Sequence, residues 1–261
     1  MCVEEQPASL LDGTLALLRT PSPGPVCVAS APFSTASPRQ STEDSLGFLF
    51  RQCSNPAVGL SDEDLAGAAT TVASEVAVIK AIAKVESSMR AFDDAGRPTI
   101  LFERHYFHRL TGGRYDATHP NISNSTSGGY GRFSEQYGKL EEAYRLDPDA
   151  ALRSASWGRF QIMGNNYRAA GFASARQFVQ AMTRSEREQL QAFVNFVASD
   201  KAMLAALQRK DWAAFAKAYN GPCYAANAYD TKLKAAYDEF AGQSAPAPNT
   251  NSPSPPPARL P

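Results

Sequence analysis

Nowhere in the 261 residues does an apolar run approach the roughly 18 needed to cross a bilayer. The best early stretch, residues 10–18, is interrupted by Asp12 and Gly13, so no membrane insertion is expected. Charge of one sign is not in excess either. Lys plus Arg and Asp plus Glu stand at 26 each, which leaves no global field for nucleic acid or an anionic surface and points to a ligand neutral or mixed in charge. Cysteine is sparse: Cys2, Cys27, Cys53 and Cys223 are scattered without a C-x-x-C pair, a spacing that reads as free thiols rather than a zinc site. There is no repeat of fixed period, which removes solenoids and propellers, and no G-x-S-x-G elbow to support a serine hydrolase of that kind. No basic residue precedes Arg19, so no general secretory signal is expected.

The chain divides by composition into three parts. Residues 1–59 form an irregular extension, punctuated early by Pro21, Pro23, Pro25, Pro32 and Pro38, and are expected to be largely disordered. Residues 243–261 alternate Pro with Ser and Ala and read as a disordered tail. Between them, residues 60–242 are one folded unit with mainly helical periodicity. Ser61 ahead of three acids opens a first helix, and Ser74 ahead of Val76, Ile79, Ile82 and Ala83 opens a second. Residues 99–103, β-branched and aromatic after Pro98, read as a short strand on which Thr99, Leu101 and Glu103 share a face. Residues 111–131 are loop-like, rich in Gly, Ser, Asn and Thr with Tyr115, His119 and Tyr130 interspersed, as carbohydrate-facing loops can be. Further helices are expected at 134–145, 148–153, 156–163, 174–182, 185–208, 211–219 and 226–241. The fold class is α+β, predominantly α, with a small β insertion.

Glu86 is the first candidate for chemistry. The four-residue step from Ile82 puts it at the end of an apolar helical stripe, where desolvation disfavours the charged form and raises the carboxyl pKa. The competing reading is a surface Glu on a fraying last turn. Glu103, at the end of the strand, is the second. Two carboxylates flanking a glycosidic bond are the minimum for ordinary glycoside hydrolysis, although an ion pair with Arg104 would also explain this acid. His105 and His108 fit one helical face, but the sequence positions no third ligand, so neither a metal nor another cofactor is expected. In residues 154–164, Gly158 permits close approach of another backbone and Gln161 offers an amide to a sugar hydroxyl or N-acetyl group.

Glu86-Ser87, Gly158-x-x-Gln161 and Ala218-Tyr219-Asn220-Gly221, in that order, resemble the signature shared by goose-type lysozymes and lytic transglycosylases. Val85-Glu86-Ser87, the block from Gly96 to His105, Gly128-Gly129-Tyr130, the block from Ser156 to Gly164 and Tyr219-Asn220-Gly221-Pro222 are more specifically similar to the N-acetylmuramidases of phage endolysins, over roughly residues 60–241. Where family members often carry a glycine after the Glu-Ser pair, this chain continues Ser88-Met89-Arg90. The resemblance implies a lysozyme-like fold with its β insertion beside the catalytic cleft. It also implies cleavage of the β-1,4 link between N-acetylmuramic acid and N-acetylglucosamine in peptidoglycan, with Glu86 as general acid and Glu103 as second carboxylate. Tyr219 would lie in the cleft, its phenol orienting the acid, with Gln161, Asn220, Trp157 and Tyr130 as sugar contacts. Plain packing is the alternative for Tyr219 and Trp157. A monomer acting on peptidoglycan strands is expected, made in the bacterial cytoplasm and reaching the wall by release or secretion. The rival activities are a lytic transglycosylase, which needs one acid and leaves anhydromuramic ends, and a non-catalytic peptidoglycan-binding protein.

Overall fold

A computed structural model describes residues 46–47, 59–86, 90–221, 225 and 228–243. Gln243, the first residue of the expected tail, closes a helix; the rest of the tail, all but a few residues of the N-terminal extension, the four cysteines, Ser87 and Pro222 lie outside the described residues.

Helix α1 (Asp62–Thr71) starts where the sequence places it. The Ser61 side chain accepts from the Asp64 amide at 3.1 Å while the Asp64 carboxylate accepts from the Ser61 amide at 3.0 Å, a reciprocal cap. Helix α2 (Val76–Val85) begins one residue later than expected, with Glu75 rather than Ser74 at the N-cap and no side-chain capping bond. Its burial of Val78, Ile79, Ala81 and Ile82 holds it in place instead. Helix α10 (Tyr229–Gln243) packs along α2.

The sheet has order β1-β2-β3, all antiparallel: β1 (Ile100–Phe102), β2 (Ala155–Trp157) and β3 (Ile162–Met163). Register pairs Ile100 with Trp157, Leu101 with Ser156 and Phe102 with Ala155. The face carrying Ile100, Phe102, Ala155 and Trp157 is buried in the core. Side chains alternate along a strand, so the other face carries Thr99, Leu101, Glu103 and Ser156.

Two expectations are corrected here. Residues 156–163 are a hairpin rather than a helix, because Gly158 at φ +70° and Gln161 at φ +45° take left-handed conformations that a helix cannot contain. The helix expected over 185–208 is two, α7 (Glu186–Ser199) and α8 (Lys201–Gln208). Asp200 turns out of the helix and its carboxylate accepts from the Ala202 and Met203 amides, a local bond that outcompetes helix continuation. One helix was not anticipated: α3 (Arg104–Thr111), directly after Glu103.

The remaining helices fall within a few residues of expectation: α4 (Gln136–Leu146), α5 (Pro148–Arg153), α6 (Ala175–Arg184) and α9 (Trp212–Asn220). Helix α7 supplies Phe193, Val194 and Val197 to a core that also holds Trp157, Phe160, Phe215 and Tyr219. No single helix among the described residues is long and apolar enough to cross a membrane.

Candidate active site

Glu86 is the C-cap of α2 and only 4% exposed. Helix α10 brings Tyr229 over it, and the Tyr229 hydroxyl donates to Glu86 Oε1. Arg159, from the β2–β3 turn, approaches from another side. Its Nη2 donates to Ala83 O at 3.1 Å, one turn before Glu86, and its Nη1 lies 2.5 Å from Oε2 of the buried Glu186 on α7. Burial pushes the Glu86 carboxyl from 4.5 up to about 7, against the opposing pull of the Tyr229 hydrogen bond and the Arg159 charge. A carboxyl in that range is available as a proton donor near neutrality.

The β2–β3 turn is held for this purpose by Gly158. The Gly158 amide donates to Thr99 O at 2.8 Å, and a Cβ there would fall 2.5 Å from the Gln189 side-chain oxygen. That oxygen accepts the Arg159 amide at 2.7 Å, while Gln189 Nε2 donates to Met182 O at 2.9 Å. The neighbour that needs a glycine at 158 is therefore a side chain. The close backbone approach occurs at Gly164, where a Cβ would meet Leu152 O at 2.0 Å.

Glu103 directly follows β1 and is the N-cap of α3, its amide donating to Ser154 O at 2.7 Å. Its side chain is 3% exposed. Oε2 has no hydrogen-bond partner among the described residues, although His105 Nδ1 stands 3.2 Å away. The Tyr130 phenol lies against the Glu103 carboxylate. Burial first, and then that negative charge, push its ionisation well above the ordinary phenol range. Glu103 is thus a buried carboxyl with one oxygen unbonded among the described residues, and Arg104 is not its ion-pair partner.

The other nearby acids have structural work. Asp93 closes its turn by accepting from the Ala95 and Arg97 amides and the Arg97 guanidinium. Asp116 accepts from Ser123 at 2.5 Å and pairs with His108 at 2.7 Å. A cavity of about 250 Å³ lined by Asp93, Arg97, Ile100, Phe133 and Tyr137 contains neither Glu86 nor Glu103. Both carboxyls are buried, Glu86 at 4% and Glu103 at 3% exposure, and it is this burial together with donor geometry that marks the site.

A buried acid at a helix end and a second on a sheet edge suit glycosidic cleavage, and comparison with known proteins agrees. The family model for N-acetylmuramidases matches residues 75–241. The chain belongs to that family. It is also similar to the crystal structure of Burkholderia AP3 phage endolysin, with 44% identity and a TM-score of 0.68 over 71% of this chain and 72% of that one. No curated protein sequence matches it significantly.

Within this muramidase the proposed sugar contacts fare unequally. Trp157 is fully buried and its indole donates to Leu152 O at 3.1 Å, so the ring faces the core and offers no stacking surface. The Gln161 amide is used internally: Nε2 donates to Gly158 O at 2.7 Å and Thr99 O at 3.3 Å, and Oε1 accepts from Ser156 at 2.7 Å. Tyr219 donates its hydroxyl to Phe160 O at 2.6 Å and stacks between Phe215 and Tyr229. The phenol bonded to the acid is Tyr229, ten residues further on. In this structure the polar atoms of all three side chains are engaged within the fold, where they brace the site. Asn220 differs. It is 4% exposed and neither amide atom makes a hydrogen bond of normal geometry, although the group sits beside the Tyr229 hydroxyl. Such an amide is available to a ligand.

The sequence reading missed Tyr229, Arg159, Glu186 and Gln189. Arg159 could have been found from its place between Gly158 and Gln161 in a motif-length block. The other three lie on helices whose docking only the fold reveals.

Proposed function

We propose that this peptidoglycan-degrading muramidase is a hydrolase in which Glu86 is the general acid and Glu103 the second carboxylate. The observation that carries the reading is the buried Glu86 carboxyl, held by Tyr229 with its pKa near 7. Glu86 transfers its proton to the bridging oxygen as the bond from the muramic anomeric carbon breaks, and the leaving sugar departs as an alcohol. Glu103, the second carboxylate, with one oxygen unbonded among the described residues, stabilises the oxocarbenium-like carbon or guides the water that adds to it. The substrate is the glycan strand of the wall, attacked by a monomer released or exported from the cytoplasm.

The test combines purified Glu86→Gln and Glu103→Gln variants with mass spectrometry of the released fragments. Wild type should release muramic reducing ends that have gained water. Both variants should fall by at least a hundredfold while melting as folded proteins. Anhydromuramic ends would replace hydrolysis by transglycosylation, and undiminished clearing by Glu86→Gln would remove the acid.

A further inference from the structure

The loop over Glu103 reads Asn124-Ser-Thr-Ser-Gly-Gly-Tyr-Gly131. Gly128, Gly129 and Gly131 all take left-handed φ, at +91°, +68° and +68°, so the chain can fold back on itself without a side chain in the way. Two cations then converge on Gly129. The Arg104 guanidinium packs so closely that a Cβ at Gly129 would lie 2.6 Å from Cζ and Nη1, and Arg104 Nε donates to Thr126 O at 3.1 Å. Lys139 Nζ, from α4, donates to Gly129 O at 2.8 Å and to Tyr130 O at 2.6 Å.

Neither cation is in an ion pair among the described residues, whereas Arg97 pairs with Asp93 and Arg153 with Asp149. Both are half-buried. Burial and the Arg104 charge lower the Lys139 pKa, with Glu135 opposing them. Glu135 opposes the Lys139 charge without forming an ion pair with it. Like charges brought together under partial desolvation repel. A third charge of opposite sign placed between them is favoured most when it comes with the ligand.

In peptidoglycan the sugar rings and their N-acetyl groups are neutral. Anionic groups enter on the peptide attached to the lactyl arm of the muramic residue, which carries free carboxylates. That arm leaves from C3 of the same ring whose anomeric bond is cut. Tyr130, adjacent to Gly129, touches Glu103, so a muramic ring placed against Glu103 would project its peptide toward this loop. We infer that Arg104 and Lys139 form a carboxylate subsite that reads the stem peptide of the muramic residue beside Glu103. The inference rests on the muramidase reading of the site and deepens it: the preferred substrate is peptide-bearing glycan, and the loop discriminates it from bare aminosugar polymer.

The experiment uses cell walls stripped of phosphate-bearing polymers, either native or with their carboxylates amidated by carbodiimide and ammonium chloride. Initial rates are measured for wild type, Arg104→Gln, Lys139→Gln and the double variant, each checked by thermal melting. Wild type should lose about five- to tenfold in kcat/KM on amidated wall, chiefly through KM, as expected for two partly exposed charge contacts. The double variant should lose the same factor on native wall and be insensitive to amidation. Wild-type KM should also rise with salt on native wall only.

Equal loss by the variants on both substrates would make the two residues mere supports of the loop and overturn the subsite. So would wild-type rates that ignore amidation, a result that needs no variant to fold. Wild type releasing no muramic reducing ends from native wall would instead overturn the muramidase reading itself.

Discussion

Replacing Glu86 by Gln should make the protein more stable at alkaline pH while abolishing its activity. The folded carboxyl titrates at about 7 against an ordinary 4.5, with burial as the leading cause. Between those values the folded state holds a proton that the unfolded state has released. Stability therefore falls as pH rises from 4.5 to about 7, and above 7 the buried anion remains a standing cost. At ~1.4 kcal/mol per pH unit, that cost is about 3 kcal/mol. The amide of Gln never ionises, nearly matches the carboxyl in shape and keeps an oxygen for the Tyr229 hydroxyl. Any constant packing difference cancels when melts at two pH values are compared. Relative to wild type, Glu86→Gln should gain about 3 kcal/mol more at pH 8 than at pH 4, or roughly 6–12 °C in Tm for a domain of this size. Differential scanning fluorimetry with denaturant melts at both pH values measures it. A Tm difference that is the same at pH 4 and pH 8 would refute the reasoning, because the carboxyl would then carry no proton specific to the folded state.

The two tyrosines near the acid should behave oppositely. Tyr229→Phe removes a donor to ionised Glu86, so the basic limb of the kcat profile should move up by about one to two pH units. Tyr219→Phe strands Phe160 O instead. It should cost about 1–3 kcal/mol in a denaturant melt and leave that limb in place. Glu186→Gln strips Arg159 of its counter-charge beside Glu86. The limb should move to lower pH and the fold lose about 3–5 kcal/mol, as for a broken buried pair; a limb that stays put or rises would separate Arg159 from the acid.

The burial of Glu86 and Glu103 was legible because each ends a short periodic pattern, an apolar helical stripe in one case and an alternating strand in the other. The hairpin at residues 155–163 was not. Trp157, Phe160 and Met163 fall at helix-like intervals, and only the left-handed backbone at Gly158 and Gln161, the latter fixed by three side-chain hydrogen bonds, decides against a helix. The internal hydrogen bonding of Gln161, Trp157 and Tyr219 was not legible for a related reason. A polar or aromatic residue inside a motif can brace a turn as well as meet a ligand, and Gln161, Trp157 and Tyr219 brace. Tyr229 was missed because nothing local distinguishes it. Its role comes from α10 packing against α2, a contact between segments more than 140 residues apart.

The central claim is that Glu86 holds its proton close to neutrality. Carbon-13 NMR of protein labelled at the glutamate side-chain carboxyl, titrated from pH 3 to 9, tests it directly. One resonance should titrate near 7 and vanish in Glu86→Gln. A spectrum in which the resonance lost in that variant titrates near 4 would contradict the account.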